Sequence, residues 1–140
     1  MNNCIGYREF QPNPKKRSKT YDCNLRALCA VSGFSWLQMY DKMYEVARGM
    51  YLETVDDRVV IKIIEKWGFQ KQVIKINKGE SRPTINDIGI KYKDYDYILC
   101  KVVGGFIPIV RGYMLYDYDL RFSHKVYTCY VRKEVFNPYL

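Results

Sequence analysis

The stretch TYDCNLRALCAVSG, residues 20 to 33, places a cysteine in the first turn of an apolar helical pattern, with Asp22 positioned to cap it. A helix N-terminus is where a fold sets a thiol meant to act as a nucleophile, because the positive end of the helix favours the thiolate. Cys23 is therefore the candidate nucleophile. Such a thiol needs a base and a group to orient the base. The chain has one histidine, His124.

The elements that must position these residues can be read from periodicity. Residues 1–19 hold Pro12, Pro14 and the run KKRSK, and read as an extended basic arm. The first helix is expected from about Cys23 to Ser32, with Leu25, Leu28 and Cys29 inward and Gly33 as its stop. A second starts at SWLQ, where Ser35 and Gln38 have capping-box spacing, and runs until Gly49. A third is expected over about Val55 to Trp67, capped by Thr54 and stopped by Gly68, since Val59, Val60, Ile63, Ile64 and Trp67 recur at helical spacing.

After Gly68 the period changes. FQKQVIKI alternates as a strand, TINDIGIKY suits one or two helical turns, and DYDYILCKVV begins β-type sequence. FIPIV and YMLYD are separated by Arg111 and Gly112, a two-residue hairpin loop. HKVYTCYVRK then follows a short connection at Asp119 to Phe122, as the next strand of a meander. Helices followed by an antiparallel sheet indicate an α+β domain. We expect a single domain over 1–140, with a helical part at 20–68 and a mainly antiparallel sheet at 69–140.

The hairpin fixes an expected register. If Arg111 and Gly112 form the loop, Val110 pairs with Tyr113 and Phe106 lies opposite Asp117, about 5 Å apart at Cβ. If 119–122 form the next turn, Asp117 also faces His124. His124 would then stand about 10 Å from the Phe106 position, two strand spacings away.

Several short stretches in this order, YDCNLRALCAVSG, WLQMYDKMYEVARG, IIEKWGF and GGFIPIVRGYMLYDYD…KVYTCYV, resemble small papain-like cysteine-peptidase-fold proteins of phages and prophages. The resemblance covers about residues 7 to 133. It implies a papain-like fold, with Cys23 at the nucleophile position and Asp117 at that of the acid orienting the histidine. The histidine position itself falls on Phe106. A phenyl ring can neither accept a proton nor carry charge, so amide hydrolysis by the usual route is expected to fail.

Charge and cysteine usage bound the remaining readings. The 140 residues carry 23 Lys and Arg against 15 Asp and Glu, a formal net charge of +8, which favours acidic partners. Lys15, Lys16, Arg17 and Lys19 form a candidate partner-binding or phosphate-contacting arm, and Lys62, Lys66, Lys71, Lys75 and Lys78 extend positive charge further. Five scattered cysteines without a Cys-x-x-Cys pair, and no apolar run at the N-terminus, suit a reducing cytoplasm, that of a bacterial host on the resemblance. No metal, no cofactor and no membrane span are expected.

Cys29, Cys100 and Cys129 fall on apolar faces and read as packing residues. The 14 tyrosines fit a sheet, with Tyr116, Tyr118, Tyr127 and Tyr130 as core or as an aromatic contact surface. Three readings follow. The first is a non-catalytic relative of the papain-like fold that binds a host protein or nucleoprotein, for example as an inhibitor of a defence system such as a CRISPR nuclease. The second is an active cysteine peptidase, isopeptidase or amidase using Cys23, His124 and Asp117. The third is a nonspecific nucleic-acid binder acting through the basic arm.

Overall fold

In the computed structural model, residues 4–15, 22–116 and 123–139 are described. Three consecutive helices, α1 (Cys23–Ser32), α2 (Trp36–Met50) and α3 (Asp57–Lys66), precede most of the sheet. The expected stop of α1 holds: Gly33 takes φ 78°, and its N–H closes on the Cys29 carbonyl. At α2 the capping box is complete, the Ser35 hydroxyl accepting from Gln38 N–H and the Gln38 side chain accepting from Ser35 N–H. That helix runs through Gly49 rather than ending there, and its C-cap is Tyr51 in the left-handed region at φ 59°. Helix α3 starts two residues later than expected, capped by Asp56 rather than Thr54. Asp56 accepts from Arg58 N–H and also pairs with its guanidinium, which selects it over the threonine.

The described strands are β1 (Gly6–Glu9), β2 (Gln70–Val73), β3 (Tyr97–Val102), β4 (Gly105–Val110), β5 (Tyr113–Tyr116) and β6 (Thr128–Arg132), with the short helix α4 (Ile85–Lys91) between β2 and β3. They form one sheet in the order β1-β5-β4-β3-β6-β2. The hairpin register is as expected, Val110 opposite Tyr113. Arg111 and Gly112 both have positive φ, as a two-residue loop of this twist requires. Arg111 tolerates the position because its N–H donates to the Asp96 carbonyl and its guanidinium lies 3.8 Å from the Asp96 carboxylate.

Two expectations about the sheet are overturned. The N-terminal arm is not wholly outside it: Gly6–Glu9 pair in parallel with Tyr113–Tyr116, so the sheet is mixed. A Cβ at Gly6 would strike the Tyr113 ring, which is why a glycine opens this strand. The C-terminal strands are a meander only in part: β3, β4 and β5 pair antiparallel in chain order, and β6 leaves that order. β1 occupies the place beside β5, and β6 inserts between β3 and β2, antiparallel to both. The apolar content of β6 explains the choice, because Cys129, Tyr130 and Val131 are buried and an interior position covers both faces of that strand.

The two faces carry separate cores. Leu99, Phe106 and Tyr130 point to the layer of α1, α2 and α3, where they meet Leu28, Met43, Ile64 and Trp67. Ile98, Cys100, Ile107, Cys129 and Val131 point to the other face, covered by Ile85 and Ile88 of α4. Fully burying a side chain of this size contributes about 1.5–3 kcal/mol, so each layer is held mainly by such residues.

Candidate thiol site at the start of α1

Helix α1 lies across β4, and its first residue brings a sulfur to the β3–β4 turn. Val103 and Gly104 make that turn and Gly105 opens β4, both glycines at positive φ. The close approach demands glycine: a Cβ at Gly105 would collide with Cys23 Sγ and with the Asn24 side-chain oxygen. The half-buried Cys23 thiol donates to the Gly104 carbonyl at 3.1 Å.

The electrostatics run against a thiolate. Burial is the largest influence and pushes the Cys23 thiol above its ordinary value, while the Arg26 guanidinium pulls the other way and Asp22 adds to the rise. The backbone N–H groups of Phe106 and Asn24 approach the sulfur and lower its pKa without reversing the balance. The helix N-terminus is thus outweighed by desolvation.

Asp22 does not cap α1 through its side chain. It makes an ion pair with Arg26, Nε to Oδ1 at 3.1 Å, with both side chains 5 % exposed. Arg26 also lies over the Tyr116 ring, 4.5 Å from its centroid, and donates to the Tyr116 hydroxyl at 3.2 Å. Asn13 approaches the Asp22 carboxylate at 3.4 Å. The charge nearest the thiol is therefore engaged in holding the N-terminal segment and β5 to α1.

Asn24, the residue after the cysteine, organises the site. Its amide donates to the Val55 carbonyl and to Asp57 Oδ1, both at 2.8 Å, and its oxygen accepts from Phe106 N–H at 3.0 Å. Asp57 in turn pairs with Lys101 at 2.7 Å. A polar residue inside an apolar helix pattern was the available signal, since a buried asparagine must find partners.

Phe106, at the position where the resemblance implies histidine, is fully buried, its ring 6.0 Å from that of Tyr130. It faces the helical layer as core. The expected register needed β6 beside β5, and β5 is flanked by β1 and β4 instead. His124 itself stands at the start of α4. Its carbonyl accepts from Ile85 N–H at the start of α4, and Lys125 bridges Thr84. The physical reason is the strand order: β6 crosses to the far side of β3, carrying the preceding residues with it. Asp117 lies outside the described residues, as do Lys16, Arg17, Lys19 and Tyr118, while Lys15 is exposed. Tyr116 and Tyr130 are core and Tyr127 is exposed; Cys29, Cys100 and Cys129 are buried, as packing residues should be.

No helix of the described residues is long and apolar enough to cross a membrane. No protein-family model, no curated protein and no solved structure matched the chain.

Proposed function

We propose that this chain acts by binding a partner and that Cys23 performs no chemistry. The observation that carries the reading is the protonated state favoured at Cys23, whose thiol is engaged as a donor to Gly104 and is raised by burial. The phenyl ring of Phe106, sealed into the core, supports it: neither a proton acceptor nor water access is available from that side chain. Fold and activity separate easily once site residues change, and a thiol in a first helical turn then remains as a packing group. The finer reading, a catalytically degenerate papain-like protein of phage type directed at a bacterial host defence such as a CRISPR nuclease, rests on the sequence resemblance alone.

An ester and peptide hydrolysis survey tests this directly. Activated esters, peptides and isopeptides incubated with the wild type and with Cys23→Ser should turn over at the same background rate. Turnover that vanishes in Cys23→Ser would overturn the proposal and restore the hydrolase reading.

A further inference from the structure

The outer side of α2 carries large side chains that no part of the described fold covers. Leu37 is 67 % exposed, Tyr40 42 %, Tyr44 45 % and Tyr51 95 %. With the exposed Arg48 they recur three or four residues apart, which at about 100° per residue puts all five within one narrow stripe. Tyr40 and Tyr44 stack at 6.4 Å with an interplanar angle of 14°, and Arg48 lies over the Tyr44 ring at 5.8 Å. Tyr51 closes the stripe in the left-handed region, φ 59°, ψ 42°, a conformation that costs a bulky residue energy and that glycine would take freely.

The order of these residues is self-complementary. Tyr40 stands as far before Tyr44 as Arg48 stands after it, and Leu37 as far before as Tyr51 after. We infer that α2 is the contact face between two copies of this chain, docked antiparallel about a two-fold axis through Tyr44. In an interface of this symmetry, residue i meets j and j meets i. Tyr44 then meets Tyr44, Arg48 of each copy meets the Tyr40 ring of the other, and Leu37 meets Tyr51. Each contact is of a type that residues of these kinds make well, aromatic on aromatic, guanidinium on ring and aliphatic on ring. Charge agrees with the same register: the exposed Asp41 falls beside Arg48 of the second copy at both ends. A hollow lined by Glu45, Arg48, Gly49 and Tyr51 lies where Leu37 of the second copy arrives, a knob for a hole.

A helix of this length spans about 22 Å, and one such face each buries less than the roughly 1,600 Å² of a standard interface. The dimer is therefore a weak one. The inference is independent of the proposed role of Cys23.

Sedimentation equilibrium on the full chain tests it, in a Cys4→Ser background to remove the exposed cysteine. Salt is held at about 0.3 M, where bridging by nucleic acid is weakened. A monomer–dimer equilibrium is expected for the parent. Tyr44→Arg puts two like charges on the axis and should weaken the dimer at least about tenfold, with an unchanged circular dichroism spectrum because Tyr44 is exposed. Under mild oxidation, Tyr44→Cys should cross-link to itself, and Tyr40→Cys should cross-link with Arg48→Cys but far more slowly with itself. A monomer across the whole range, a dimer indifferent to Tyr44→Arg, or Tyr40→Cys self-linking as fast as Tyr44→Cys would each overturn the inference.

Discussion

The Cys23 thiol donates a hydrogen bond of 3.1 Å to the carbonyl oxygen of Gly104. A thiolate has no proton to give, and its charge would face the negative end of that carbonyl. The contact therefore holds the protonated form, in the same direction as burial. The nearby guanidinium of Arg26 opposes both, yet it is shared with Asp22 at 3.1 Å. An active thiol needs the reverse arrangement, an acceptor kept away and a cation left to the sulfur.

The Asp22–Arg26 pair is buried, so removing one partner should cost far more than removing both. Arg26→Met strands the Asp22 carboxylate and should destabilise by about 3–5 kcal/mol, and Asp22→Asn should also cost several kcal/mol. The double variant should lose clearly less than the sum of the two, as read from urea unfolding midpoints. Simple additivity would mean that the pair is not coupled as its geometry indicates.

Asn24 ties the start of α1 to the residues leading into α3 and to β4 through three hydrogen bonds. Asn24→Ala leaves the Phe106 N–H and the Val55 carbonyl without these partners and should cost about 2–4 kcal/mol. Gly105→Ala drives a methyl into Cys23 and Asn24 at φ 147° and should cost about 1–3 kcal/mol or more. Combining Gly105→Ala with Cys23→Gly should recover part of that loss. No recovery would place the cost in the backbone alone.

Stability should fall at alkaline pH. Burial pushes the Cys29 thiol up to about 12 and the Cys129 thiol up to about 11, from an ordinary value of 9.0, with Cys100 moved in the same direction. The folded chain keeps these protons while the unfolded chain releases them, so the stabilisation is complete below pH 9 and is lost as pH rises towards 11 to 12. Each thiol should contribute a slope of about 1.4 kcal/mol per pH unit in that window. Cys29→Ala should be less stable at neutral pH, and its deficit should narrow between pH 9 and 11. A constant deficit would contradict a buried neutral Cys29.

Local patterns in the sequence indicate most of the helices and the hairpin. Gly33 after an apolar run, the Ser35 and Gln38 pair and the Arg111–Gly112 loop each act through neighbours a few residues away. The strand order is not local. β1 joins the sheet because Gly6 lets the chain pass under Tyr113, a contact made across more than a hundred residues that no period announces. β6 takes an interior place because both its faces are apolar, and that choice moved His124 to the start of α4. In the candidate site, Cys23 at a helix start was legible. Its protonated state was not, since it depends on a carbonyl from residue 104 and on the depth of burial.

The measurement that tests the central claim most directly is the rate of Cys23 alkylation against pH, in a background lacking exposed Cys4 and with and without His124→Ala. The account requires a rate that is still climbing at pH 8.5 and reaches half its plateau only above the free-cysteine pKa of about 8.5, unaltered by the histidine change. A rate already at its plateau near pH 6, and lost in His124→Ala, would show a working thiolate–imidazole pair and contradict the account.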